Sequence, residues 1–175
     1  MSTEIIIPAI AEDGSLFQIE KMKAHQIGQQ HLAISVFVFS GSRLMIQQRA
    51  LSKYHCAGKW ANTCCSHPHW GESAENAANR RTKEELGFTL PLHQTALIDY
   101  RADVGGGLIE NERVSVFVGH ADEASLTYAL NPDEVSAIKW VKVTDLPDLL
   151  ASEPESLCPW FAIYIQRWDE LALGI

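Results

Sequence analysis

The sequence is short of everything that marks an exported or membrane-bound chain. No apolar run approaches the ~18–20 residues that a membrane span requires, so no membrane partner is expected. The opening Met1-Ser2-Thr3-Glu4-Ile5-Ile6-Ile7-Pro8 has no basic segment and only three consecutive apolar residues, which argues against a signal peptide. The four cysteines, Cys56, Cys64, Cys65 and Cys158, show no Cys-x-x-Cys spacing and no disulfide framework. A bridge between the adjacent Cys64 and Cys65 would be strained, and a reduced, cytoplasmic protein is the expectation. Positive charge is scarce too: 14 Lys and Arg against 22 Asp and Glu leave a formal charge of −8, which speaks against nucleic acid. An anionic small molecule would need cations gathered locally at its site. No linker, repeat or low-complexity segment divides the chain, so one domain over residues 1–175 is expected. Nor is there a coiled-coil or other association motif, and the expectation is a monomer.

What is present is an ordinary globular composition, 46% hydrophobic and 21% charged. Glu4–Ile10 reads as a short strand. Leu32–Phe39 reads as a strand buried on both faces, and Arg43–Arg49 after Ser40-Gly41 as its hairpin partner. Lys53–Lys59 is loop-like and Trp60–Cys65 extended. Ser73 is an N-cap for a helix that ends near Leu86, with Gly87 as its stop and Ala74, Ala77, Ala78 and Leu86 on its inner face. Ala96–Ala102 and Arg113–Val118 read as strands separated by Gly105-Gly106-Gly107, and Ala137–Val143 as another. Thr144 caps a short helix through Leu150. Pro159 opens a last helix with Trp160, Phe161, Tyr164, Trp168 and Leu171 along its apolar side. Strands and helices mixed without strict alternation predict a mixed sheet covered by helices, in the α/β (α+β) class.

The most informative stretch runs from Asn62-Thr63-Cys64-Cys65-Ser66-His67-Pro68 through Gly71-Glu72-Ser73 to Arg80-Arg81-Thr82-Lys83-Glu84-Glu85-Leu86-Gly87. Glu72, Arg80, Glu84, Glu85 and Gly87 stand in the register of a Nudix box, the metal-binding helix of a diphosphate site. Two positions depart from it: Ser66 replaces the first glycine, and Arg81 replaces the glutamate after the arginine. Arg80–Glu84 and Arg81–Glu85 are also i,i+4 pairs, which stabilise an exposed helix by ~0.2–0.5 kcal/mol each. Around the box, Glu20-Lys21…His25, His31-Leu32-Ala33, Tyr100-Arg101, Glu110-Asn111-Glu112 and Cys158-Pro159-Trp160 follow in order. Together these motifs resemble the type I isopentenyl-diphosphate isomerases, a Nudix-fold family, from about Glu20 to Trp160.

The resemblance implies a Nudix-like mixed sheet sandwiched between helices. It also implies interconversion of isopentenyl and dimethylallyl diphosphates by proton transfer at carbon, through a tertiary carbocation-like state between two opposed acid/base groups. Cys65 matches the catalytic cysteine, Glu112 the second acid/base group and Tyr100 the hydroxyl that assists it. Trp160 matches an aromatic facing the reacting carbon, where a cation gains ~2 kcal/mol or more when desolvated. His25, His31, His67, Glu110 and Glu112 match the ligands of a protein-held metal, and the nitrogen/oxygen set suits Zn2+ or Mn2+. His69, two residues after His67, is a competing ligand. Glu85 matches a ligand of Mg2+, which would bind with the diphosphate. Lys21, Arg49, Lys53 and Arg81 match basic positions beside it. No flavin is implied. Cys64 is expected to point to the opposite strand face and to be structural, and His55, His93 and His120 to lie on the surface. A hydrolase of a small diphosphate compound and a non-catalytic binding module are the alternatives. Arg81 argues against the first, and the Cys65/Glu112/Tyr100 set against the second.

Overall fold

The chain opens with two strands, β1 (Ile6–Ile10) and β2 (Leu16–Glu20), paired antiparallel and leading directly into a short helix, α1 (Lys21–Ile27). The computed structural model describes residues 4–174. Sequence reading anticipates β1 but neither β2 nor α1. The helix holds because the Glu20 carboxylate accepts from the Met22 and Lys23 amides at 2.9 and 2.7 Å, and Gly28 ends it at φ 65°. Seven residues are too few for a helical period to show in sequence.

The sheet is organised about β3 (His31–Ser40). One edge of β3 pairs in parallel with β8 (Leu108–His120). The other edge is shared end to end by β1, β6 (Cys64–Ser66) and β4 (Arg43–Arg49), all antiparallel. The expected hairpin between β3 and β4 forms, but it is short. Only Phe39–Leu44 and Ser40–Arg43 pair, because β6 occupies that edge of β3 next to them. β4 instead runs along β9 (Val135–Lys142), with β5 (Trp60–Ala61) on its other side. β7 (His93–Gly105) folds back on β8 across the three-glycine turn, and both strands are longer than expected.

Side-chain alternation on β3 separates two cores. Ala33, Phe37 and Phe39 face one, with Leu44, Ile46, Tyr100 and Val114; Ile34, Val36 and Val38 face the other. The second core is covered by α2 (Ala74–Leu86), whose fully buried Ala77 and Ala78 let it lie close to the sheet. The first is covered by α3 (Leu146–Ser152) and α4 (Pro159–Gln166). This is the mixed sheet between helices that the sequence predicts. Two boundaries differ. Thr144 does not cap α3; it lies in a 3-10 turn, Val143–Asp145, and α3 begins at Leu146. Trp168 and Leu171 lie on a separate 3-10 turn beyond α4. Among the described residues no helix is long and apolar enough to cross a membrane.

Gly87 closes α2 at φ 78°, and a Cβ there would sit 2.6 Å from the Ala129 carbonyl oxygen and 2.7 Å from its nitrogen. Gly87→Ala is expected to cost more than about 1 kcal/mol, since both the backbone angle and the space reject a side chain. A lower denaturant midpoint at unchanged m value would register this; an unchanged midpoint would contradict it.

Candidate active site

The alternation that builds the first core also exposes its polar members to one another. On β8, Leu108, Glu110, Glu112, Val114 and Val116 share the buried face. Register places Glu112 opposite His31 on β3 and opposite Tyr100 on β7. His67 follows β6 immediately, and α1 carries His25 to the same end of the sheet. The rings of His25, His31 and His67 stand 4.9, 5.3 and 5.0 Å apart, pair by pair. His25, His31, His67 and Glu112 offer ligand atoms all within 4.8 Å of one another, and so do His25, His55 and Glu110. His69 is exposed and belongs to neither group, whereas His67 belongs to the first.

Hydrogen bonds orient these rings. His25 Nδ1 donates to Lys21 O at 2.7 Å, and His31 Nδ1 to Gln29 O at 2.8 Å. A carbonyl only accepts, so each neutral ring turns its Nε2 lone pair inward. His31 Nε2 lies 3.1 Å from His67 Nε2, which lies 2.9 Å from Glu112 Oε1. Burial pushes the His25 imidazole down to about 4, and pushes His67 well below the ordinary range against the pull of Glu112. The Tyr100 hydroxyl lies 2.8 Å from both Glu110 Oε2 and Glu112 Oε2. One phenolic proton serves one of them at a time, so both contacts become hydrogen bonds when a carboxyl also carries a proton. Glu110 is the one inclined to do so: burial and then the neighbouring Glu112 charge hold it well above the usual carboxylate range. Burial works against Glu112 as an anion, but His67 and His31 outweigh it and hold it well below that range.

Cys65 lies across β3 from these carboxylates, paired with Ser35. Its Sγ donates to Asn62 Oδ1 at 2.9 Å and lies 3.0 Å from Ser35 Oγ, which in turn lies 2.7 Å from Tyr164 Oη. Burial pushes the Cys65 thiol far up, against Ser35 and Asn62, so it keeps its proton. Cys64 faces the α2 core, fully buried, as alternation requires.

One cavity is lined by Cys65, Tyr100, Glu110, Glu112, His67 and Trp160, and by Lys21, Arg49, Lys53, Arg81 and Glu85. Arg81 donates to Glu85 and Glu84 at 2.7 Å and approaches Glu134 at 3.1 Å; Lys53 bonds Glu134 at 2.6 Å. The second Glu85 oxygen accepts from Gln47 at 3.0 Å. Burial, then the charge of Arg81, lowers the pKa of Lys21. The Arg49 guanidinium stacks 5.3 Å over the Trp160 ring. Glu134 and Gln47 are absent from the sequence reading, and nothing in their surroundings along the chain signals them. His55 is a correction: only 8% exposed, it sits edge-on to Trp160 inside the cavity wall, whereas His93 and His120 are exposed as expected. Its loop looks polar and open in sequence, but Arg49 grips the His55 carbonyl at 3.3 Å and turns the ring inward.

Residues 29–161 match the NUDIX domain family. An isopentenyl-diphosphate Delta-isomerase of Roseobacter denitrificans is 51% identical, over 97% of this chain and 98% of that protein. One of Dinoroseobacter shibae is 48% identical, over 93% and 92%. This chain belongs to the isopentenyl-diphosphate Delta-isomerase family. Its fold is shared with DR0079 of Deinococcus radiodurans, at TM-score 0.73 and 18% identity over 93% of this chain and 98% of that one. A MutT protein of Methanosarcina mazei matches at TM-score 0.63 and 17% identity, over 80% and 93%.

The divalent cations implied for an isopentenyl-diphosphate isomerase fit the donors present. His25 Nε2, buried, has no hydrogen-bond partner, and neither has His67 Nδ1. While neutral, His25 and His31 turn lone pairs toward the Glu112 carboxylate, and a divalent cation among them would supply the positive charge that protonated imidazoles otherwise give it. Glu85 offers a single carboxylate among cations, which is how Mg2+ commonly meets a phosphate site. Adding Zn2+ or Mn2+ to the metal-free chain is expected to raise its thermal midpoint, by about 2.7 kcal/mol in stability at a hundredfold excess over Kd. His31→Ala is expected to remove that shift. A midpoint indifferent to metal in the unsubstituted chain would show the cluster to be only structural.

Proposed function

We propose that the chain interconverts isopentenyl diphosphate and dimethylallyl diphosphate. The observation that carries this reading is the meeting, in one cavity, of the Cys65 thiol, a carboxylate–phenol set, an indole and a group of cations. Lys21, Arg49, Lys53 and Arg81 bind the diphosphate and leave the five-carbon chain between Cys65 and Glu112. One of these two groups gives a proton to the terminal methylene; the π pair forms the new C–H bond and leaves a tertiary cation. The other removes a proton from the neighbouring methylene on the diphosphate side, and that C–H pair becomes the new double bond. In the reverse direction the two groups exchange roles. A thiol that keeps its proton and a carboxylate that loses its own supply one donor and one acceptor in advance. Tyr100 holds the Glu112 carboxylate in place, and Trp160 supplies an aromatic face to the cation.

Zn2+ or Mn2+ held by His25, His31, His67, Glu110 and Glu112 would supply positive charge that fixes both carboxylates. Mg2+ on Glu85 would neutralise the diphosphate. We read residues 1–175 as one catalytic domain. The four free cysteines accord with a cytoplasmic location.

Deuterium uptake from D2O into isopentenyl diphosphate, in the presence of Mg2+, tests this directly. Cys65→Ala and Glu112→Gln are each expected to lower uptake at least ~100-fold, the usual scale for one acid–base group, with the fold intact by circular dichroism. Near-normal uptake in either variant would sink the assignment. Phosphate or pyrophosphate release that survives Cys65→Ala would indicate the hydrolase instead.

A further inference from the structure

We propose that His55 is an additional donor to the histidine–carboxylate centre, raising its imidazoles from three to four. This rests on the reading that a divalent cation is held there. His55 lies in the loop between β4 and β5, far in sequence from His25, His31 and His67, and nothing in its local spacing marks it as a ligand. Its ring is nevertheless enclosed. It stands edge-on to Tyr54 and Trp160, with centroids 4.5 and 5.8 Å away, and nearly parallel to His25 at 6.1 Å. The next residue, Cys56, takes a left-handed φ of 50°, rare for a non-glycine residue, and Arg49 grips the His55 carbonyl. The backbone is thus held in the shape that keeps the ring inside.

Packing alone does not account for an imidazole at this position. His55 Nδ1 is buried with no hydrogen-bond partner, and Nε2 lies 3.7 Å from Glu110 Oε1, beyond hydrogen-bond length. Burying polar groups without partners costs about 1–3 kcal/mol, which an apolar ring of the same shape would avoid. The spacing suits two donors on one cation rather than a donor and an acceptor bonded directly. His55 and Glu110 close within 4.8 Å on His25, which also belongs to the cluster with His31, His67 and Glu112. His25 has a single lone pair to give, because its Nδ1 is bonded to Lys21 O. One lone pair serves one cation, so the two groups make one centre and not two. Four nitrogens and two carboxylates form a set more suited to Zn2+ than to Mg2+ or Ca2+. The same ligand ties the loop bearing Lys53 and Tyr54 to the centre, so metal loading steadies the diphosphate-binding wall.

The test is Zn2+ binding by the full chain, measured by competition with a chromophoric chelator, together with a crystal structure of the Zn2+-loaded protein located by anomalous scattering. The expected result is one ion per chain with a His55 nitrogen at about 2.0–2.2 Å. His55→Ala and His55→Phe are both expected to weaken binding at least about tenfold, the low end even for a residue that only supports a ligand. The phenylalanine keeps the ring packing, so it decides the matter if the alanine loosens the loop. A His55 nitrogen more than about 3 Å from the ion, well beyond bonding distance, overturns the proposal. So do unchanged affinity in His55→Phe and two ions per chain. His31→Ala separates the two levels of the argument: if it abolishes binding while the His55 variants do not change it, only the role of His55 fails. If the unsubstituted chain takes up no Zn2+, the metal reading fails with it.

Discussion

The two-residue alternation of β3 is the constraint on which the rest of the molecule depends. This strand is paired on both edges and packed on both faces, so each of its side chains is committed to one core or the other. Phe37 and Phe39 on one face and Ile34, Val36 and Val38 on the other are almost wholly buried. At about 1.5–3 kcal/mol for each large apolar side chain removed from water, a slip of one residue is prohibitively costly. The lock carries the chemistry with it. His31 and Ser35 fall on the same face as the phenylalanines, and strand pairing then delivers Glu112 on one side of β3 and Cys65 on the other. Cys65 and Glu112, remote in sequence, line one cavity because a hydrophobic strand permits a single register.

The cavity brings two polar groupings together: the His67, Glu110 and Glu112 side chains, and the cations Lys21, Arg49, Lys53 and Arg81. An acidic chain can hold both because the charges are sorted locally. Lys53 and Arg81 share Glu134, and Arg81 also holds Glu85. These carboxylates keep the cations paired, so on the proposed reading an entering diphosphate would compete with them instead of meeting bare charge. Burial and Arg81 disfavour the ammonium form of Lys21, a cost that an anion in the cavity would offset. Rearranging pairs that already exist limits the desolvation cost of binding.

How much of this was legible in the sequence depended on whether the signal was local. Ser73 and Gly87 bracket α2 because caps act on their own helix, and the Cys64/Cys65 split follows from alternation alone. The ordered motifs carried the family, and with it the residues that the structure gathers in one cavity. What escaped was settled by distant parts of the chain. The edge of β3 expected for β4 went largely to β6, a choice made by tertiary packing. α1 depends on the Glu20 cap more than on any periodicity. Glu134 looks like a loop residue, and only the fold sets it against Lys53 and Arg81. His55 reads as surface because its neighbours Tyr54, Ala57 and Leu51 do lie exposed. Its burial comes from Arg49 and Trp160, the second of them more than a hundred residues away.

The incomplete Nudix box acquires a physical meaning from the surroundings of Arg81. A carboxylate at that position, as in the usual box, would stand beside Glu84, Glu85 and Glu134. That concentration of negative charge suits several divalent ions poised to activate water at phosphorus. Arginine inverts it. The guanidinium bonds the same three carboxylates and leaves Glu85 as the buried acidic side chain of α2 that faces the cavity. Glu72 is not a spare carboxylate either, since both its oxygens are bonded to Arg80, which also donates to the His67 carbonyl. The acidic groups that a hydrolase would devote to water are here devoted to holding arginines. One of those arginines, Arg81, lines the cavity, and the other, Arg80, steadies the segment that bears His67. On the proposed reading, a site arranged this way would hold a diphosphate without supplying the carboxylates that hydrolysis at phosphorus needs.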